Sequence, residues 1–289
     1  MRRLYVDGAD GQLHVTVAGA GPALLLVGSA GRSARVFDGL IQLLSRDFTV
    51  VAPDLPGSGN SDAPKPGFGM RDLARNLVEV LDGLGLARAH FYGFQTGNKV
   101  GAALAAGWPG RVGRVVLAGQ SHSLVPDKHA RDGAILGNVA HYFDEAPMDK
   151  RARQAQLWAT GFRRVSDIWW DGGLYSDPAG WAAFERARLA VVDRVQALPH
   201  ARATYEANFA YDLGADIARI SAPLMFVEVV TAAEDASLGR QGAKLLALQP
   251  GARLEVLQEP DGPSHAVTLA RQYPALAALL RGFLLATPP

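Results

Sequence analysis

Over the first 120 residues, short apolar runs alternate with amphipathic segments. Leu13 to Val17, Ala23 to Val27, Phe48 to Ala52, His90 to Tyr92 and Val115 to Ala118 are short runs rich in aliphatic and β-branched residues, and they predict strands. Between them, Ser33 to Ser45 and Met70 to Leu84 carry apolar residues at three- and four-residue spacing, the period of a helix laid on a sheet. Strands and helices in alternation predict a largely parallel α/β sheet. From Ser121 to Asp216 the pattern changes to helical segments without a convincing strand, and this stretch holds Trp158, Trp169, Trp170 and Trp181. It reads as an inserted helical cap. Strand patterns return at Leu224 to Val229 and Arg253 to Leu257, followed by a helix from Ala266 to Leu285. The expected organisation is a core of residues 1–120 and 217–289 with a cap of residues 121–216. Pro53 to Gly69 and Asp261 to Pro263 are rich in glycine and proline and read as loops, and no internal repeat interrupts the scheme.

Composition narrows the chemistry. The chain has 289 residues, 48% of them hydrophobic and 20% charged, enough for a large core and far from the composition of a disordered chain. With 29 basic against 28 acidic residues there is no single-sign field to hold a phosphate backbone or an anionic bilayer, so neither nucleic acid nor membrane is expected as a partner. No stretch approaches the roughly 20 apolar residues of a membrane span, and the first residues meet Asp7 before any apolar run builds, which leaves a cytoplasmic protein as the expectation. The absence of cysteine excludes disulfides, thiolate nucleophiles and cysteine-bound metals. His14, His90, His129 and His200 lack metal-site spacing and are read as structural, so no metal or cofactor is expected.

The segment His90-Phe91-Tyr92-Gly93-Phe94-Gln95-Thr96-Gly97-Asn98-Lys99-Val100-Gly101-Ala102 has the pattern of a strand, a glycine-flanked turn and a helix of small residues. That is the shape of a nucleophile elbow, whose glycines are needed because neighbouring backbone approaches too closely for a Cβ. Its central residue is Gln95. Through this segment and several others the chain resembles the α/β-hydrolase family over nearly its whole length. Leu24-Leu25-Leu26-Val27-Gly28-Ser29 with Arg35-Val36-Phe37 looks like the family's strand and oxyanion loop. Val50 to Asp62, containing Asp54-Leu55-Pro56-Gly57-Ser58-Gly59, is similar to the loop after the next strand. Pro223 to Val229 resembles the strand before the catalytic acid, and Gly262-Pro263-Ser264-His265 the loop that delivers the catalytic histidine.

The resemblance implies an α/β-hydrolase fold, a mostly parallel twisted sheet flanked by helices with a helical cap. It implies His265 as the general base and, by spacing, Glu234 or Asp235 as its acid, with Asp235 preferred and Glu228 a further candidate. The backbone N–H groups of Ser29 and Thr96 would form the oxyanion hole. Two departures stand out. Glutamine has no accessible ionisation, so Gln95 can be neither an acyl-forming nucleophile nor a proton shuttle, and the aspartate-dependent dehalogenases and epoxide hydrolases of the family are excluded on the same ground. Val27 also replaces the histidine common before the oxyanion-loop glycine.

The resulting expectation is an enzyme working on a small organic substrate, an ester, lactone, amide or activated C–C bond. His265 would supply acid–base catalysis while Gln95 and backbone N–H groups position the reacting oxygen. Alternatives are cofactor-independent lyase or decarboxylase chemistry at the same site, a binding protein that kept the pocket but lost its nucleophile, and a hydrolase silenced by an introduced Gln95. Phe94, Ser121, His122, His141, Tyr142, Trp158 and Trp169 are candidates to line the substrate pocket, although aromatic residues in an inserted domain also serve as its core. Monomer and homodimer both remain open.

Overall fold

The fold was obtained as a computed structural model, which describes residues 1–119, 121–125, 127–130, 132–133, 188–189, 192–193, 195–230, 235, 238–258 and 272–286. His141, Tyr142, Trp158, Trp169, Glu234 and His265 lie outside the described residues, as does the side chain of His122.

Eight strands form one sheet: β1 (Arg2–Gly8), β2 (Gly11–Ala18), β3 (Ala23–Val27), β4 (Thr49–Pro53), β5 (Ala89–Phe94), β6 (Val112–Ala118), β7 (Leu224–Val230) and β8 (Arg253–Gln258). Their spatial order is β1-β2-β4-β3-β5-β6-β7-β8. β1 pairs antiparallel with β2 and β2 antiparallel with β4, and every other pairing is parallel. β3 and β7, each paired on both sides, are buried along their entire length, which is why they read as apolar runs rather than as alternation.

Helices α1 (Asp38–Leu44), α2 (Met70–Gly83), α3 (Thr96–Gly107), α4 (Ala201–Ala210), α5 (Leu213–Ile217), α6 (Gly242–Leu248) and α7 (Tyr273–Leu284) are described beside short 3-10 turns. Two apolar cores lie on opposite faces of the sheet. Leu25, Phe91 and Leu117 point to the α2 and α3 face, and Leu26, Tyr92 and Val116 to the face covered by α1 and α7. Met70, Leu73, Ala74, Leu77 and Leu81 give α2 its buried stripe, and the Asp72 carboxylate accepts from the Gly69 N–H to cap its first turn.

Two sequence expectations change in detail. β1 was not anticipated; Leu4 and Val6 turn inward between the exposed Arg3 and Tyr5, too short an alternation to stand out. The helix expected over Ser33 to Ser45 divides into a 3-10 turn (Ala34–Phe37) and α1. Leu213 of α5, inside the expected cap of residues 121–216, and Ile217, the first residue of the expected second core segment, both belong to the core cluster that includes Val100 and Leu104 of α3.

Chain order reverses across the sheet between β3 and β5. After β3 the chain moves outward to β4, then returns to pair β5 on the other side of β3, with Val27 opposite Gly93. In open α/β sheets a crevice forms at such a switch point, beyond the carboxyl ends of the strands. The residues that follow these two ends are Gly28-Ser29 and Gln95-Thr96.

Candidate active site

Gln95 joins β5 directly to α3 with φ 53° and ψ −108°, and it alone among the described non-glycine residues has a positive φ. The strain of such a backbone, of order 1–3 kcal/mol, persists only where surrounding structure imposes it. Here the Gln95 N–H donates to the Ala118 carbonyl at 3.2 Å, and the Gln95 carbonyl accepts from the Asn98 N–H at 2.9 Å. The Asn98 side chain donates to the Gly119 carbonyl at 3.0 Å and ties the first turn of α3 to the end of β6. Close approach is enforced on both sides of the turn. A Cβ on Gly93 would stand 2.3 Å from the Gly97 carbonyl oxygen, and one on Gly97 would stand 2.2 Å from that of Val27. The sharp turn directs the Gln95 side chain out of the sheet edge, where it is half-buried.

Across the switch point, the Ser29 hydroxyl donates to Gln95 Oε1 at 2.5 Å. Ser29 begins a loop that is anchored from below. The Gly31 N–H donates to Ser58 Oγ at 3.1 Å, and the Ala34 N–H donates to Asp54 Oδ1 at 2.6 Å. Asp54 is buried and spends its other oxygen on the Asn60 N–H and on His14 Nδ1, both at 2.9 Å. Gly59, at φ 54°, is required because a Cβ there would fall 2.1 Å from that carboxylate. The Asp54 to Ser61 loop therefore acts as a bracket for the Ser29 loop, and His14, read as structural, completes it.

From above, the segment that returns from the expected cap grips the same loop. Arg32 Nε lies 3.2 Å from the carboxylate of the buried Asp193. Burial raises the Asp193 carboxyl above its usual range, partly opposed by a hydrogen bond from Ser33 and by the Arg32 charge. Sequence reasoning did not single out Asp54, Arg32 or Asp193, because their partners lie far away along the chain.

The acid candidates separate. Glu228, near the end of β7, is buried and its oxygens are occupied: Oε1 accepts from the Gln241 and Gly242 N–H groups at 2.5 and 2.7 Å, and Oε2 from Arg240 at 2.9 Å. It anchors the start of α6. Asp235 is exposed, and its carbonyl accepts from the Gly239 N–H at 3.1 Å. Ser121 is buried in a two-way clasp with Gln241, donating its N–H to Oε1 and accepting from Nε2, each at 2.9 Å. It borders a small cavity with Asn98, Gly119, Leu213 and Leu245, beneath α3. Phe94 is buried at the end of β5.

Lys99, one turn into α3, was also missed. It is 5% exposed, and its ammonium donates to the Asn208 carbonyl at 2.6 Å and lies 5.9 Å over the Phe209 ring. Burial lowers it to about 8, with Lys128 lowering it further and Asp132 opposing the shift. Among the described residues no cluster of three or more histidine, aspartate or glutamate side chains could hold a metal ion, and no helix is long and apolar enough to cross a membrane.

The alpha/beta hydrolase fold family matches residues 22–190, more than half of the chain. The chain belongs to the α/β-hydrolase family. It is 30% identical over 267 residues to a Pseudomonas savastanoi protein named "Putative carbamate hydrolase RutD", covering 89% of this chain and 92% of that one. A hydrolase from Pseudomonas aeruginosa superposes with a TM-score of 0.70 at 25% identity, covering 99% of both chains. The enol-lactonase of Burkholderia xenovorans superposes with a TM-score of 0.69 at 21% identity, covering 98% of this chain and 100% of that one, and shows the same fold. The first curated relatives, mycobacterial proteins described as uncharacterised, match at 34% identity over 101 residues, and that match spans 30% of their length.

Proposed function

We propose that this α/β-hydrolase hydrolyses a small ester, lactone, amide or carbamate without a covalent acyl-enzyme. The observation that carries the reading is the position of Gln95: the outward-facing residue of a strained strand-to-helix turn, at the switch point of the sheet, in hydrogen-bond contact with Ser29. The nucleophile of the family would stand at this place, and a carboxamide can bind and orient there but cannot attack. In this reading the cap expected from the sequence would cover the site, with His122, His141, Tyr142, Trp158 and Trp169 available to its pocket.

In this mechanism His265 takes a proton from water, and the hydroxide attacks the substrate carbonyl carbon. The C=O electron pair moves onto oxygen, where the N–H groups of Ser29 and Thr96 and the carboxamide of Gln95 meet the developing charge. Collapse of the tetrahedral species breaks the bond to the leaving alcohol or amine, which takes the proton back from His265. Asp235 or Glu234 orients the imidazole. Glu228 is set aside because the start of α6 and Arg240 occupy both of its oxygens. The carbamate in the name of the Pseudomonas savastanoi relative supports including carbamates beside esters, lactones and amides.

The test is a mass-spectrometric screen against esters, lactones, carbamates and β-keto acids, with His265→Ala beside the wild type. Hydrolysis in H₂¹⁸O that labels the product, is lost in His265→Ala and leaves the intact protein mass unchanged is expected. Saturable binding without turnover would replace this reading with a receptor, and cleavage of a C–C bond or loss of CO₂ with a lyase.

A further inference from the structure

The two ends of a carboxamide are chemically opposite. Oε1 only accepts hydrogen bonds and Nε2 only donates them, and a half-turn of the terminal torsion exchanges the two. At residue 95 that choice decides whether the site offers a substrate an acceptor or a pair of donors. The partner that makes the choice is Ser29, whose hydroxyl donates to Oε1 at 2.5 Å from a residue 66 positions away in sequence. Nε2 is thereby turned away from Ser29, and none of the described residues accepts from it.

The geometry points to Ser29 as a positioning residue whose hydroxyl locks the Gln95 carboxamide with its N–H donors toward the reacting oxygen. The inference rests on the hydrolytic reading above and sharpens it: Gln95 is an oxyanion donor rather than a water-binding acceptor. Other features agree. The loop that carries Ser29 is held in place through Gly31 on Ser58 and through Ala34 on Asp54. The backbone of Gln95 is fixed from both sides by Ala118 and Asn98, leaving the amide flip as the freedom that Ser29 removes. The N–H of Thr96, at the first position of α3, lacks an intrahelical acceptor and follows Gln95 directly in the chain, a further donor at the same turn. Such a site takes substrates in which charge builds on a carbonyl oxygen. It discriminates against ligands whose nearest group is an ammonium.

Ser29→Ala and Ser29→Thr both keep the backbone N–H at position 29 and differ in the hydroxyl. With p-nitrophenyl acetate as probe, Ser29→Ala is expected to lower kcat about 10- to 100-fold with KM changed less than about threefold, while Ser29→Thr restores most of the rate. The orientation is read independently of turnover by NMR of the Gln95 side chain, assigned by the signals lost in Gln95→Glu. Ser29→Ala should shift the Gln95 carbonyl carbon and leave the exchange of its Nε2 protons unchanged. An Nε2 proton protected in the wild type and exposed in Ser29→Ala would show the opposite orientation and overturn the proposal, as would an unchanged carbonyl carbon. If no probe is turned over but the carbonyl carbon shifts, the hydrolytic reading fails while the lock on the carboxamide stands.

Discussion

The carbonyl oxygen of Val27 lies only 2.2 Å from where a Cβ on Gly97 would stand. This approach joins the strand that carries the Ser29 loop to the turn that carries Gln95, so the spacing between the two halves of the candidate site is set by the absence of one methyl group. Gly97→Ala should therefore push the Ser29 loop away from Gln95. We expect a loss of stability of about 1–3 kcal/mol from the overpacked contact, together with a fall in kcat larger than that in an equally destabilised core variant. Urea unfolding and steady-state kinetics check both, and a variant of wild-type stability and rate would refute the constraint.

The strain at Gln95 has its own signature. At a helix N-cap, the place Gln95 holds, glycine is already preferred over alanine by about 0.5–1 kcal/mol, and a positive φ widens the gap. Gln95→Gly and Gln95→Ala both remove the bond from Ser29, so that loss cancels in their comparison. Gln95→Gly should be the more stable of the two by about 2 kcal/mol or more, read as a higher midpoint in urea, and both should be inactive. A difference no larger than the N-cap preference of about 0.5–1 kcal/mol would mean that the backbone at residue 95 relaxes to an ordinary conformation.

Much of this arrangement was legible in the chain itself. The strand–turn–helix around Gln95 was readable because Gly93 and Gly97 flank the turn at a spacing that only close backbone contact demands, and the structure supplies those contacts. The core strands were readable because β3 and β7 are buried throughout and show as apolar runs. The bond between Ser29 and Gln95 was not, since a serine in a loop has no periodic signature and its partner lies 66 residues away. Lys99 escaped notice for a related reason: a lysine beside Val100, Gly101 and Ala102 has no periodic signature of burial, and its acceptor, the Asn208 carbonyl in α4, lies 109 residues away.

Glu228 and Asp235 should behave as a structural and a functional acid. Removing the Glu228 side chain leaves the Gln241 and Gly242 N–H groups without their acceptor and Arg240 without its partner. Glu228→Ala is expected to cost about 2–4 kcal/mol of stability, with kcat per folded molecule within a few-fold of wild type. Asp235→Asn should leave the unfolding midpoint nearly unchanged and lower kcat, with Glu234→Gln as its companion. A catalytic collapse in Glu228→Ala at preserved fold would reverse the assignment.

Lys99 makes stability depend on pH in a direction that follows from its burial. Its ammonium titrates near 8 in the folded protein, against an ordinary lysine value of about 10.4 in the unfolded chain. Between those values the unfolded chain binds the extra proton, so stability rises with pH through this window, and the penalty for burying the charge is fully present below it. The groups that face the ammonium are the Asn208 carbonyl, the Phe209 ring, Asp132 and Lys128. Lys99→Met removes the titration and, at every pH, the bond to Asn208. Urea midpoints of wild type and Lys99→Met at pH 7 and pH 9.5 should therefore show the wild type gaining on the variant at the higher pH, whatever other groups titrate in both. A constant difference between the two proteins would mean that the ammonium between α3 and α4 keeps an ordinary lysine pKa in the folded state.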